Sequence, residues 1–348
     1  MPGPRKVSAA GTHYRFERFR QHFWQLRAVR LVRNLQDTES FDVAQHVTIG
    51  SWRQPSCLAF CSIPYIFGPT SGSEKIPPGF LRRLGLRGAA WELARSGLIE
   101  LARWDPLVRR TLRRAARILV VGPATYTEFE ARYPHKTIAW TRAYRKGDIA
   151  MKWESTYGTS GSAGQFLISW MGRLIPRKGL DILLRALSDP ILSDCVVEVI
   201  GDGPYRAKYT RLAAKLGIRD RIRFLGHMDQ TRAFSILCKS DLFVFTSLQD
   251  MMGQALSEAM QLGLPCVVFD RSGPAWLAGS DGAYKVKIST YEETCRNLAR
   301  TICEIKENDL LRRDLAGRAR NRIESLTNAE WRDSEIDALF ETVRQENI

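Results

Sequence analysis

The 348-residue chain has no apolar run approaching the roughly eighteen residues of a membrane-spanning helix, so a spanning protein is not the reading. Its opening stretch has no apolar core of signal-peptide type, which points away from export. The seven cysteines (Cys57, Cys61, Cys195, Cys238, Cys266, Cys295 and Cys303) are odd in number, scattered and never in a Cys-x-x-Cys pair. That usage fits a reduced cytoplasm and suggests neither a disulfide frame nor a zinc site. There is no internal repeat and no low-complexity tract, and no recognised nucleic-acid-binding motif accompanies the basic residues.

What is present describes a globular chain with room for two domains: 44% apolar residues and 26% charged ones. The net charge of +15 is unevenly spread. Residues 1–150 hold 25 Lys and Arg against 11 Asp and Glu, whereas residues 151–348 hold 27 against 26. Much of the excess lies between Arg82 and Arg117, where arginines interleave with Phe80, Leu86, Trp91, Leu98, Leu101, Trp104 and Leu107. Basic and aromatic residues alternating along helices suit anionic lipid headgroups; a solvated arginine-rich face is the alternative. Read with the cysteines, this places the protein in the cytoplasm, peripheral on the inner face of the cell membrane.

Residues 1–12, with Pro2, Gly3, Pro4 and Gly11, read as disordered. Helical spacing predicts a helix over 14–35, and a short strand follows over 41–48. Residues 67–79 (FGPTSGSEKIPPG) read as a long loop in which Gly68, Ser71, Gly72 and Ser73 could offer backbone N–H groups to a phosphate, or serve only as a turn. Residues 80–117 read as mainly helical, 118–122 as a strand, and the Gly/Ser-rich stretch 154–165 as a hinge. Beyond it strands and helices alternate: strands over 166–171, 195–200, 222–225 and 242–245, each followed by a loop and a helix, and a further strand over 266–269. Such alternation specifies a parallel sheet covered on both faces, with ligands over the carboxyl ends of its strands.

The stretch 247–270, SLQDMMGQALSEAMQLGLPCVVFD, draws the rest together. Gly253 permits a tight entry into a helix over 255–262, and the unpaired N–H groups of its first turn make a seat for phosphate. Asp250 in the loop and Glu258 in the helix place two carboxylates beside that seat, suited to accepting hydrogen bonds from sugar hydroxyls.

The segments GRLIPRKGLDILLRAL, VEVIGDGP, RIRFLGHM and SDLFVFTSLQDMMGQALSEAMQLGLPCVVFDRSGP, in this order, resemble the C-terminal domain of the retaining glycosyltransferases of family 4. These enzymes have the GT-B architecture of two Rossmann-like α/β domains. The similarity covers roughly residues 165–325; DVAQHVTIGSWRQPS, IPYIFGPTSGSE and DPLVRRTLRRAARILVV resemble, less closely, the later part of an exopolysaccharide-type first domain. The implied organisation is a shortened, basic acceptor-side domain over 13–153, the hinge, a nucleotide-sugar domain over 166–325, and a C-terminal helix within 326–348 that packs back on the first domain.

The resemblance also implies roles. Arg173 and Lys178 would hold the donor diphosphate without a metal, beside Gly172 and the loop of Gly201, Asp202 and Gly203. Gly253, Gln254 and Ala255 would turn backbone N–H groups to the phosphates, and backbone near His227 and Met228 would contact the base. Glu258 would accept from the ribose, Asp250 from the transferred hexose, and His46 would stand near the reacting sugar. Asp250 is one methylene shorter than the usual Glu, and Gln45 stands where a second His is common. The expected activity is metal-independent transfer of a sugar, with retention, from a nucleoside diphosphate sugar to a glycan or lipid-linked acceptor, with no cofactor and no nucleic acid. Because only one helix precedes the strand at 41–48, a second reading stands beside it: a non-catalytic remnant that keeps the donor pocket and the membrane-associating surface.

Overall fold

The computed structural model describes residues 13–47, 50–140, 165–327 and 329–346. The disorder expected of residues 1–12 and the hinge over 154–165, Gln165 apart, lie outside these. Two parallel sheets organise the molecule.

The first begins after helix α1 (His13–Thr38) and contains β1 (Ala44–His46), β2 (Tyr65–Thr70), β3 (Arg117–Val120) and β4 (Thr137–Ala139), lying side by side in chain order. Between β2 and β3 run a 3₁₀ segment (Pro78–Leu84), α2 (Gly85–Trp104) and α3 (Pro106–Arg114); α4 (Pro123–Arg132) joins β3 to β4. Asp105 starts α3 by accepting from the N–H groups of Leu107 (2.8 Å) and Val108 (3.3 Å), and Pro106 needs no partner there. Strands in simple sequential order, joined by right-handed crossovers, bring their helices to one face. Accordingly Tyr65, Phe67, Ile118 and Val120 pack with Ile99 of α2, Leu112 of α3 and Phe129 of α4. Their neighbours of opposite parity, Ile66, Leu119 and Val121, point to the other face and need different cover. Trp140 and α12 (Ala329–Gln345) supply it, through Ile336, Leu339, Phe340 and the fully buried Val343.

The second sheet has six strands in the order β10-β9-β8-β5-β6-β7. They are β5 (Phe166–Met171), β6 (Cys195–Ile200), β7 (Ile222–Gly226), β8 (Leu242–Phe245), β9 (Cys266–Phe269) and β10 (Tyr284–Val286). Helices α5 (Leu180–Leu187), α6 (Arg206–Lys215), α7 (Gln230–Leu237), α8 (Gln254–Gln261), α9 (Ser272–Ala278), α10 (Tyr291–Glu307) and α11 (Asp309–Thr327) cover both faces. Ile168, Trp170, Val244, Val267 and Phe269 enter one core with α5 and α10, while Phe243, Phe245, Cys266 and Val268 enter the other with α7, α8 and α11. From β5 the chain winds outward through β6 and β7, then returns to start β8 on the other side of β5. The order therefore reverses between β5 and β8, and a crevice opens at their carboxyl ends.

Several boundaries differ from the sequence reading. β2 extends through Thr70, inside the expected long loop, because Phe67 is fully buried and Ser71 bridges to Ser51 beyond the strand. β4, α9 and β10 are three- and seven-residue elements whose apolar residues are too few for a period to register. The first strand shortens from 41–48 to Ala44–His46, flanked by exposed Phe41 and Val47.

Candidate functional site

The loops that follow β5 and β8 meet at the reversal point. Trp170 Nε1 donates to Thr246 Oγ1 (2.9 Å), which donates to the Lys178 carbonyl (3.0 Å). Leu248 N–H donates to the Arg177 carbonyl (2.9 Å), and Arg177 Nη1 returns a bond to the Gln249 carbonyl (3.0 Å). Gly179, in the left-handed conformation (φ +67°), closes the first loop; a Cβ there would lie 2.2 Å from the Thr246 carbonyl oxygen. These contacts put Lys178 Nζ in an ion pair with Asp250 Oδ2, both largely shielded from water.

Gly253 (φ +70°) turns the chain into α8 without a capping side chain, so the first N–H groups of that helix are not satisfied by any cap. One turn further in, Glu258 Oε1 accepts from Gln230 Nε2 (3.0 Å) and Gln254 Nε2 (3.3 Å). Burial pushes its carboxyl above the usual range against the pull of these two amide donors. The loop after β6 braces the first one: Leu174 N–H donates to the Asp202 carbonyl (3.0 Å) and Tyr205 N–H to the Leu174 carbonyl (3.1 Å). Gly201 and Gly203 permit the approach, since Cβ atoms there would come within 2.1 Å of the Gly172 carbonyl oxygen and 2.6 Å of the Leu174 carbonyl oxygen.

Thus Lys178 and Asp250 meet between the loops after β5 and β8, Gly253, Gln254, Ala255 and Glu258 follow Asp250 into α8, and Gly172 with Gly201, Asp202 and Gly203 forms the adjoining loops. The Arg173 side chain is exposed and makes no ion pair or hydrogen bond among the described residues, while its carbonyl accepts from the Ile175 N–H (2.8 Å). His227 is exposed beyond β7 at the sheet edge, whereas Met228 packs toward the α7–α8 core. His46 belongs to the other sheet. Its ring is buried 5.3 Å from Phe67, Nδ1 lies 2.9 Å from Ser56 Oγ, and burial holds its pKa down to about 4, so the imidazole is neutral. The backbone N–H groups of Gly72 and Ser73, considered for phosphate, are already engaged with Thr125 Oγ1 (3.2 and 3.1 Å). That correction follows from Thr125 at the start of α4, which no local sequence signal connects to the loop.

The sequence reading missed the residues that join the domains over this crevice. Gln249 Nε2 donates to the Glu74 carbonyl (2.7 Å), and Arg271 reaches both the Lys75 and Leu248 carbonyls. Ile76, Phe80 and Leu84 are buried with Leu174 and Leu180 of the second domain. Arg83 stacks 3.5 Å from the Tyr291 ring centroid and pairs with Glu292 (2.7 Å). Gln230 was also missed, although it stands only two residues beyond Met228.

A family model described as glycosyl transferases group 1 matches residues 159–322. Two Rhizobium meliloti proteins are similar: the lipopolysaccharide core biosynthesis glycosyltransferase LpsE, 32% identical over 172 residues (49% of this chain, 47% of that protein), and LpsD, 35% identical over 115 residues (33% and 32%). The chain therefore spans about a third to a half of the length of these curated relatives. Among solved structures, the lipopolysaccharide outer core galactosyltransferase WaaB superposes with a TM-score of 0.64 over 96% of this chain and 83% of its own, at 15% identity. Anabaena Alr3699/HepE in complex with UDP gives 0.63 over 89% and 81%, at 17% identity. These likenesses show the GT-B fold, and residues 159–322 of this chain are similar to the glycosyl transferases group 1 family.

Proposed function

We propose that the protein is a glycosyltransferase that moves a sugar from a nucleoside diphosphate sugar to a glycan or lipid-linked acceptor, with retention, in polysaccharide biosynthesis of the lipopolysaccharide type. The observation that carries the proposal is the convergence, at the reversal point of the six-stranded sheet, of a cationic loop, an uncapped helix start and a carboxylate. Arg173, Lys178 and the first N–H groups of α8 offset the diphosphate charge that grows as the glycosidic bond breaks. Glu258, oriented by Gln230 and Gln254, accepts from the ribose hydroxyls. Asp250 moves from Lys178 to the sugar when phosphate takes over the lysine, and His46 lends a neutral imidazole to the reacting sugar. The domain seam above the crevice excludes water. The similar proteins named for lipopolysaccharide core synthesis, and HepE with its bound UDP, support the donor class. The acceptor side lies against the inner face of the cell membrane, in keeping with the basic first domain.

Thermal melts with UDP-, GDP- and ADP-sugars test the donor site. One donor series should raise the melting temperature, by an amount set by its saturation, and Arg173→Ala should remove the shift and lower kcat/KM about a hundredfold. No shift with any donor, or an unchanged shift in Arg173→Ala, would refute the site. A second reading, of a donor-binding remnant without activity, is favoured by the ion pair that occupies Lys178. Donor binding without transfer or donor hydrolysis would establish it.

A further inference from the structure

Helix α2 carries its apolar residues on the wrong side for a water-facing helix. Its inward positions hold Ile99 and the charged pair Glu92–Arg95, while Leu86 (93% exposed), Trp91, Leu93, Leu98, Leu101 and Trp104 (74% exposed) face outward. Among its exposed positions only Arg87 and Glu100 are charged. A helix of twenty residues is about 30 Å long, so the stripe is long and contiguous, and it continues onto Leu107 of α3. A surface helix normally shows the reverse distribution.

Beside the stripe, where α2 ends and α3 begins, a cavity of about 340 Å³ opens between Trp104, Arg109, Arg113, Arg132 and Tyr133. Glu128 already pairs with Arg103 (2.7 Å) and Arg132 (3.7 Å). Arg109 and Arg113 form no ion pair among the described residues; Arg109 lies 5.9 Å from the Trp104 ring. Four residues apart on a helix, these two arginines share one face. Two guanidiniums that form no ion pair among the described residues, lining one cavity together with a tryptophan, have the chemistry to take one phosphate.

We propose that the α2–α3 corner is the membrane-docking face of this protein: the α2 stripe enters the headgroup–acyl boundary of an anionic bilayer, and Arg109 and Arg113 take the phosphate of one phospholipid headgroup. Charge selects this occupant. A second copy of the chain would bring the same excess of arginine, including exposed Arg82, Arg87 and Arg114, against itself, whereas an anionic leaflet neutralises it. Tryptophans at Trp91 and Trp104 suit the interfacial depth. The inference deepens the reading of an acceptor side placed against the membrane. Donor-induced stabilisation reports on the other domain, so failure of docking and failure of the donor site are separate results.

The test is sedimentation of the full chain with phosphatidylcholine vesicles, with and without phosphatidylglycerol, read together with quenching of tryptophan fluorescence by brominated acyl chains. Binding is expected only with phosphatidylglycerol, weakening in high salt, with quenching that Leu93→Glu/Leu101→Glu abolishes. Arg109→Glu/Arg113→Glu should weaken binding about tenfold or more. Both variants sit on the surface, and their melts should match the parent protein. Soluble glycerol phosphate should not displace the protein from vesicles; displacement would show that the cavity serves a free phosphate and would overturn the docking role. Absence of binding at low salt, binding indifferent to the leucine pair, or a dimer that the leucine pair dissociates would also overturn it.

Discussion

His46 shows how burial decides what a side chain can do. The folded protein holds its pKa at about 4 against an ordinary 6.5, because burial strips solvent from the charged form. Between these values the unfolded chain takes up a proton that the folded chain refuses. The stabilisation from this residue is therefore complete above pH 6.5 and is lost as the pH falls through 6.5 toward 4, by an amount on the order of 3 kcal/mol. Urea unfolding across that window should show the decline, and His46→Gln, which keeps a partner for Ser56 without titrating, should flatten it. An equal decline in the variant would assign the effect to other groups.

The loops at the carboxyl ends of the second sheet are held by close backbone contact as well as by side chains. Gly201 has φ +123°, and its α-carbon faces the Gly172 carbonyl so closely that a Cβ would lie 2.1 Å from that oxygen. Gly201→Ala therefore combines backbone strain with displacement of the Gly172 loop. A loss of about 2–4 kcal/mol in urea unfolding is expected. Donor-induced stabilisation should fall as well, since Arg173 rides on the displaced loop. A variant as stable as the parent, with donor response intact, would show that the two loops are not braced in this way.

The two domains are joined by an apolar seam as well as by polar contacts. Phe80 belongs to the first domain in chain order but is fully buried with Leu174, Leu180 and Tyr291 of the second. Phe80→Ala should cost about 3–5 kcal/mol and should separate a single calorimetric transition into two as the domains uncouple. Retention of one transition would place the coupling elsewhere, in Arg271 and Gln249. Val343 on α12 ties the end of the chain to the first sheet in a similar way.

The sequence by itself determined the parallel strand–loop–helix alternation of the second domain, because that pattern is local, and with it the position of Lys178, Asp250 and Glu258 after the carboxyl ends of its strands. The order of those strands, and so the reversal point, was decided by the tertiary structure. The first sheet was less legible: β1 and β3 fall within or beside the expected strands, but β2 runs into the expected loop and β4, with three residues, draws its stability from neighbours far along the chain. Only the tertiary structure decided that Gln230 orients Glu258, that Thr125 engages the N–H groups of Gly72 and Ser73, and that Gln249 and Arg271 reach across to Glu74 and Lys75. Each of these is a pairing of polar groups distant in sequence, fixed by where the sheets put them and carrying no periodicity of its own. The outward face of α2 belongs to the same class: the sequence showed apolar and basic residues interleaved, but which of them meets water was settled by what the helix packs against.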